Sequence, residues 1–211
     1  MVRISSTDRR SALIDAALRV IGRDGIHAAT TRAIVAEADM SLASFHYVFQ
    51  SRDDMMHGLV ASLIETQTLA ALASITETTD IHRAFRLGLQ AYFEVLVAHP
   101  QHEQALMELL LYSLRSDDLA DLPRQQYARY HSAVAELLVA AASSARVSWT
   151  RPVADIARTI VCITDGVTLA WLADRDAEAS ARVLDFAADS LAVLTRPLDA
   201  EHHNPERVHT P

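Results

Sequence analysis

Between Thr31 and Arg52 lie the side chains of this sequence best suited to a polyanion and the base edges it carries: Thr31, Arg32, Ser41, Ser44, His46, Tyr47 and Arg52, with the small Ala43 among them. A guanidinium can give two donors to guanine O6 and N7. Hydroxyl and phenol groups can hydrogen-bond base edges or touch a thymine methyl, and Thr, His and Arg donors hold phosphate oxygens. On residue type, Arg32 is assigned to base reading with Ser44 and Tyr47 beside it. Thr31, His46 and Arg52 are assigned to phosphates, joined by Arg3, Arg9 or Arg10 if the N-terminal arm orders on DNA. Ser41 and Ala43 border the same face. Plainer roles compete: Arg32 as a solvated surface residue, Tyr47 as a packed aromatic, and Arg52 as a helix-cap or i,i+4 partner.

Such groups must be displayed on something rigid. The stretch TTRAIVAEADMSLASFHYVF, Thr30 to Phe49, reads as two short helices broken at Asp39-Met40-Ser41, where Asp tolerates left-handed geometry and Ser41 can cap the helix Leu42 to Val48. Helices this short are marginal alone, so others must hold them. A first helix from an N-cap near Thr7 to Asp24-Gly25 supplies Leu13, Ala17 and Ile21 against Ile34, Val35, Ala38, Met40, Phe45 and Phe49. Gly25 is expected in the left-handed conformation that ends helices. Ser51-Arg52-Asp53-Asp54 reads as a capping box opening a long fourth helix to about Ile75. This is the geometry of a helix-turn-helix, whose second helix fits the major groove.

Apolar stripes follow at Ile81 to Ala98, Gln101 to Leu114, Pro123 to Ala142, Pro152 to Leu172 and Ala177 to Leu194. With few Gly and Pro and half the residues apolar, the pattern predicts an all-α chain of about nine helices and no strand. The domains expected are 1–51 for the helix-turn-helix and 52–196 for a larger helical part, with a polar, disordered tail at 197–211.

Net charge is −8, and all 19 basic residues are Arg. The first 57 residues carry 7 Arg against 7 acids, so the acidity belongs to the remainder and the first part can face phosphates. Charges interrupt each hydrophobic run before it reaches membrane length, and MVRISSTDRR lacks the apolar stretch of a signal peptide; a cytoplasmic protein is expected. Cys162 is read as a small buried apolar residue.

Catalysis finds little support. Among 10 His there is no H-E-x-x-H, and the one E-x-x-H, Glu206 to His209, lies in the polar tail. His99 and His102 flank Pro100 as helix-cap residues, and 5 Gly make neither a phosphate loop nor a G-x-S-x-G. No enzyme, catalytic residue, metal or cofactor is expected. The rivals to DNA binding are a dimeric helical interaction module and, more remotely, a helical-bundle metalloenzyme.

The order helix, DGIHAATTRAIVAEADMSLASFHYVFQSRDDM, helix resembles the DNA-binding region of the tetracycline-repressor (TetR) family of bacterial regulators, and ITDGVTLAWLADRD is similar to the segment leading between the last two helices of many members. Arg32 matches an Arg used for base reading in some members. Three residues depart from the pattern: Asp39 at the usual Gly, His46 at the usual Tyr, and Val48 where His or Tyr is common. Val48 can make no phosphate hydrogen bond, whereas His46 still can.

The resemblance implies a repressor that binds a palindromic DNA operator as a homodimer and is released by a small molecule. Dimerisation falls to the last two helices, about 152–174 and 177–195. Ile156, Ile160, Ile163, Val167, Leu169 and Ala170 exceed one face of a monomeric helix, and Gly166 allows close approach, which supports the same expectation. Large residues on the central helices are the pocket candidates: Phe85, Leu89, Tyr92, Phe93, Met107, Leu110, Leu111, Tyr127, Tyr130, His131 and Trp171. They suit an apolar or amphipathic effector.

Overall fold

A computed structural model describes residues 5–75 and 78–198. Arg3, the polar tail beyond Leu198 and the Glu206/His209 pair lie outside the described residues. Helix α1, Ser6–Asp24, opens on a reciprocal cap: Ser5 Oγ accepts from Asp8 N at 3.0 Å and donates to Asp8 Oδ2 at 2.7 Å. The cap thus falls two residues before Thr7, because Ser5 has both extended backbone and an acid three residues on. Gly25 takes φ 84° with ψ 166°, extended rather than left-handed helical, and leads directly into a 3-10 turn at Ile26–Ala28. Only Gly enters that region without strain.

Helix α2 is Thr31–Glu37, capped by Thr30, and α3 is Leu42–Val48, capped by Ser41. Between them Asp39 sits at φ 51°, the left-handed geometry read from the sequence. Helix α4, Arg52–Ile75, starts with Ser51 Oγ accepting from Asp54 N, while Asp54 Oδ2 reaches back to Gln50 N–H at 2.9 Å. Helices α5 (Ile81–Ala98), α6 (Pro100–Ser113), α7 (Leu122–Ala145), α8 (Val153–Asp174) and α9 (Ala177–Ala192) complete nine helices among the described residues.

Two three-residue strands, β1 (Val147–Trp149) and β2 (Thr195–Pro197), pair antiparallel and close the base of the α8–α9 hairpin. No strand was expected, since three residues leave no readable alternation. Pro197, assigned to the tail, pairs with Val147 in this ribbon.

Two apolar cores carry the bundle. The first gathers Leu13, Ile21, Ile34, Phe45, Phe49, Met55, Met56 and Leu59, and continues without a break into Leu106 and Leu109 of α6. In the second, Phe85, Leu89, Phe93 and Leu138 meet Ile156, Ile160, Trp171 and Leu184. By length and composition α4 and α8 are each apolar enough to cross a membrane, contrary to the sequence reading, because the charges within them are too few to lower the mean hydropathy of an 18-residue window. Both pack in the bundle, α4 against α5 and α7, and α8 against α7 and α9.

Candidate DNA-binding surface and effector cavity

The recognition surface is built by anchoring one side of α3 and exposing the other. Phe45 and Phe49 are fully buried with ring centroids 5.5 Å apart, which fixes the helix against α1 and α2. Leu42, Ala43, His46 and Tyr47 consequently face outward, Tyr47 with 67% of its surface exposed. His46 packs its ring edge-on against Phe45, and the Arg9 guanidinium lies 5.1 Å from the centre of the Tyr47 ring, so both outward side chains are steadied at their roots. Ser41 and Ser44 are tied to each other at 3.0 Å, with Ser41 Oγ spent on the Ser44 N–H.

Arg32 is exposed in the first turn of α2 and makes no hydrogen bond or ion pair among the described residues, while Thr31 beside it is half-buried. The other described Arg side chains of this half are engaged. Arg19 and Arg23 clasp Glu37 at 2.8 and 3.0 Å, strapping α2 to α1 and holding the Glu37 carboxyl below its usual range. Arg10 stacks 4.4 Å from the Phe49 ring centre and donates to Val48 O at 3.4 Å.

Arg52, assigned to phosphates from the sequence, is engaged within the chain. Its Nε donates to Ala29 O at 2.8 Å and its Nη2 to Ile26 O at 2.9 Å, with the guanidinium 5.8 Å from the centre of the Tyr112 ring. Ile26 O otherwise accepts only the Ala29 N–H at 3.2 Å, and Arg52 joins that carbonyl to Ala29 O as a clamp.

A cavity of about 130 Å³ opens among α4, α5, α7 and α8, with Glu103 of α6 in its wall. Phe85, Leu89, Tyr92 and Tyr130 line it as the sequence suggested. Seven other candidates do not. Phe93 and Trp171 pack edge-to-face on each other at 6.0 Å; Leu111 is exposed beside a second hollow against Ile26 and His27; Met107, Leu110, Tyr127 and His131 stand off the wall. Large side chains fill cores more often than they face cavities.

Polar residues were missed. Gln67, Thr68, Glu103, Thr164 and Asp165 belong to the lining. Glu103 is only 7% exposed and accepts from Gln67 Nε2; burial, then the nearby Asp165 charge, raises its carboxyl to about 7. Burial likewise raises Asp165, which accepts from the Tyr127 hydroxyl at 2.8 Å, and pushes that phenol up to about 12. Tyr92 and Tyr130 are raised by the same burial. A Glu beginning an Ala/Leu-rich helix and an Asp within an apolar one were the sequence signals available.

On α8, Ile156, Ile160 and Val167 turn inward and are consumed by the chain's own core, and Ile163 is half-buried. The residual outer strip is Cys162, Gly166, Leu169 and Ala170, continued on α9 by Val183 and by Phe186, which is 72% exposed. Cys162 is therefore exposed rather than buried.

Residues 13–59 match the family model described as "Bacterial regulatory proteins, tetR family", and residues 82–196 match "BetI-type transcriptional repressor, C-terminal". The chain belongs to the TetR family. The nicotine-responsive transcriptional repressor HdnoR of Paenarthrobacter nicotinovorans is 33% identical over 82% of this chain and 88% of its own. BetI of Brucella canis is 25% identical over 88% and 90%. A TetR-family regulator from Rhodococcus sp. superposes with a TM-score of 0.73 over 89% of this chain and 98% of that one, at 17% identity. This TetR-family chain is thus a ligand-responsive DNA-binding repressor and not an enzyme. Among its described residues no group of three His, Cys, Asp or Glu side chains is placed to hold a metal.

Proposed function

We propose that the protein acts in the cytoplasm as a homodimer that reads a palindromic operator and leaves it when a small molecule enters the cavity. Residues 1–51 carry the DNA contacts: Arg32 reads a base pair, Ser44, Tyr47 and Ala43 meet base edges, and Thr31, Ser41 and His46 face phosphates. Arg52 positions the 3-10 turn instead. The exposed strip from Cys162 to Ala170 with Val183 and Phe186 pairs with its symmetry mate, because an apolar face of this kind is stable only when covered. Two α3 helices then enter successive major grooves about 34–36 Å apart.

The observation that carries the regulatory part is that α6 borders both sites. Glu103 stands in the cavity wall, and Glu108 Oε1 accepts the Ile26 N–H at 2.7 Å in the helix-turn-helix half. A ligand that displaces α6 pulls on Ile26, and a coupling of about 1–3 kcal/mol suffices for a switch. The apolar wall of Ile64, Leu89, Val134 and Leu137 suits an apolar or amphipathic effector, and the name of the relative HdnoR supports a small organic molecule. The test is a titration of such molecules, nicotine first, into the complex with a selected operator, followed by fluorescence anisotropy. Release by at least one compound supports the reading; full occupancy of the cavity without any change in operator affinity contradicts it.

A further inference from the structure

The cavity has an uneven wall. Along α4, α5 and α7 it is hydrocarbon, whereas its α6–α8 side presents two carboxyl groups, Glu103 and Asp165. Among the described residues lining it none is Arg or His, so neither acid has a cationic partner there. Gln67 supplies one amide donor to Glu103 Oε1, and no other donor among the described residues reaches that carboxyl. The groups facing Glu103 are Gln67 from α4, Tyr92 from α5, Tyr130 from α7 and Asp165 from α8; the charge on Asp165 is in turn eased by the Tyr127 hydroxyl and by His131.

A buried Glu103 and a half-buried Asp165 beside aromatic rings resist ionising together without a countercharge. The wall contains none: below about pH 7 Glu103 answers by keeping its proton, and a cationic ligand supplies the charge that lets both carboxylates form. Tyr rings attract a cation on their faces, and an aromatic wall combined with carboxylates is the chemistry that recognises ammonium groups.

From this arrangement we propose that the effector is an organic monocation, its charged nitrogen seated between Glu103 and Asp165 beside the Tyr92 and Tyr130 rings and its apolar body along α4, α5 and α7. The inference rests on the reading of this cavity as the effector site and adds the charge of the occupant. Binding exchanges one positive charge for another: the cation enters, the Glu103 O–H bond breaks, and its proton passes to the buffer. Above pH 7 the carboxylate is already formed and no proton is released.

The probe pair is phenyltrimethylammonium and its neutral isostere tert-butylbenzene, neither of which titrates, so any pH dependence belongs to the protein. Isothermal titration of the full chain is expected to show the cation binding at least tenfold more tightly than the isostere. Its affinity should rise about tenfold from pH 6 to pH 8. At pH 6 the binding enthalpy should vary with the ionisation enthalpy of the buffer. Glu103→Gln should lose both the pH dependence and the preference for charge, and Asp165→Asn should lose part of the preference, with circular dichroism confirming that each variant is folded. Equal or tighter binding of the isostere, or a cation affinity indifferent to pH and to Glu103→Gln, overturns the proposal and leaves the cavity as an effector site for neutral molecules. Binding of neither probe also overturns it, while the effector reading is then decided separately by the operator-release titration.

Discussion

Glu103 and Glu108 lie little more than one turn apart on α6 and serve opposite ends of the molecule: Glu103 is buried in the cavity wall, and Glu108 accepts the Ile26 N–H at 2.7 Å. The carbonyl of the same Ile26 is held by Arg52 Nη2 at 2.9 Å. One residue of the 3-10 turn is therefore gripped from α6 on one side and from α4 on the other. Because α2 begins only three residues after that turn ends, its placement depends on the grip.

Arg52→Ala should be a stability mutant. It strips a charged donor from Ala29 O and from Ile26 O, which then keeps only the Ala29 N–H, at a cost of about 2–3 kcal/mol. Chemical denaturation measures this, and the salt dependence of operator binding should keep its slope. A phosphate contact would give the reverse, with unchanged stability and a slope smaller by about one.

Arg32→Ala should behave oppositely. The side chain is exposed and makes no bond among the described residues, so folding stability should change little. Operator affinity should fall by about 1–3 kcal/mol with one base preference relaxed, measured by gel-shift titration at fixed salt.

Stability without ligand should depend on pH through Glu103. Its folded value is raised from 4.5 to about 7, so between those values the folded chain holds more protons than the unfolded one and stability falls as pH rises, levelling off above about 7. The scale is about 3 kcal/mol. Thermal melts should show Glu103→Gln matching the parent below pH 4.5 and exceeding it above pH 7, with a smaller slope of the same sign remaining from Asp165.

Phe186→Glu should separate the subunits. Phe186 is 72% exposed and lies outside the chain's own core, so a charge there costs the monomer little while placing like charges across a two-fold interface. Sedimentation velocity should shift from dimer toward monomer, and operator affinity should drop with it.

The helices were legible because their apolar periodicity and caps are local properties; Ile81–Ala98 matches its sequence stripe at both ends. The turn at Asp39 was legible for the same reason. What periodicity cannot assign is which of several apolar faces a helix spends on its own chain. Ile156, Ile160 and Val167 looked like surplus on α8, yet α5, α7 and α9 use them, and the true surplus is the weaker strip from Cys162 to Ala170. The cavity failed similarly: size directed attention to Phe93 and Trp171, which fill space, while Glu103 and Asp165 become informative only once the fold brings them into one wall. Arg52 read as a phosphate ligand from its position, and only the path of the 3-10 turn reveals the carbonyls it serves.

Selection of bound duplexes from a random pool by the full-length protein tests the central claim most directly. The account predicts enrichment of one palindrome whose half-site centres lie one helical turn, about 10–10.5 bp, or a multiple of it apart, and loss of one position's preference with Arg32→Ala. Failure to enrich any sequence, or enrichment of a single unrepeated site bound by one chain, would contradict it.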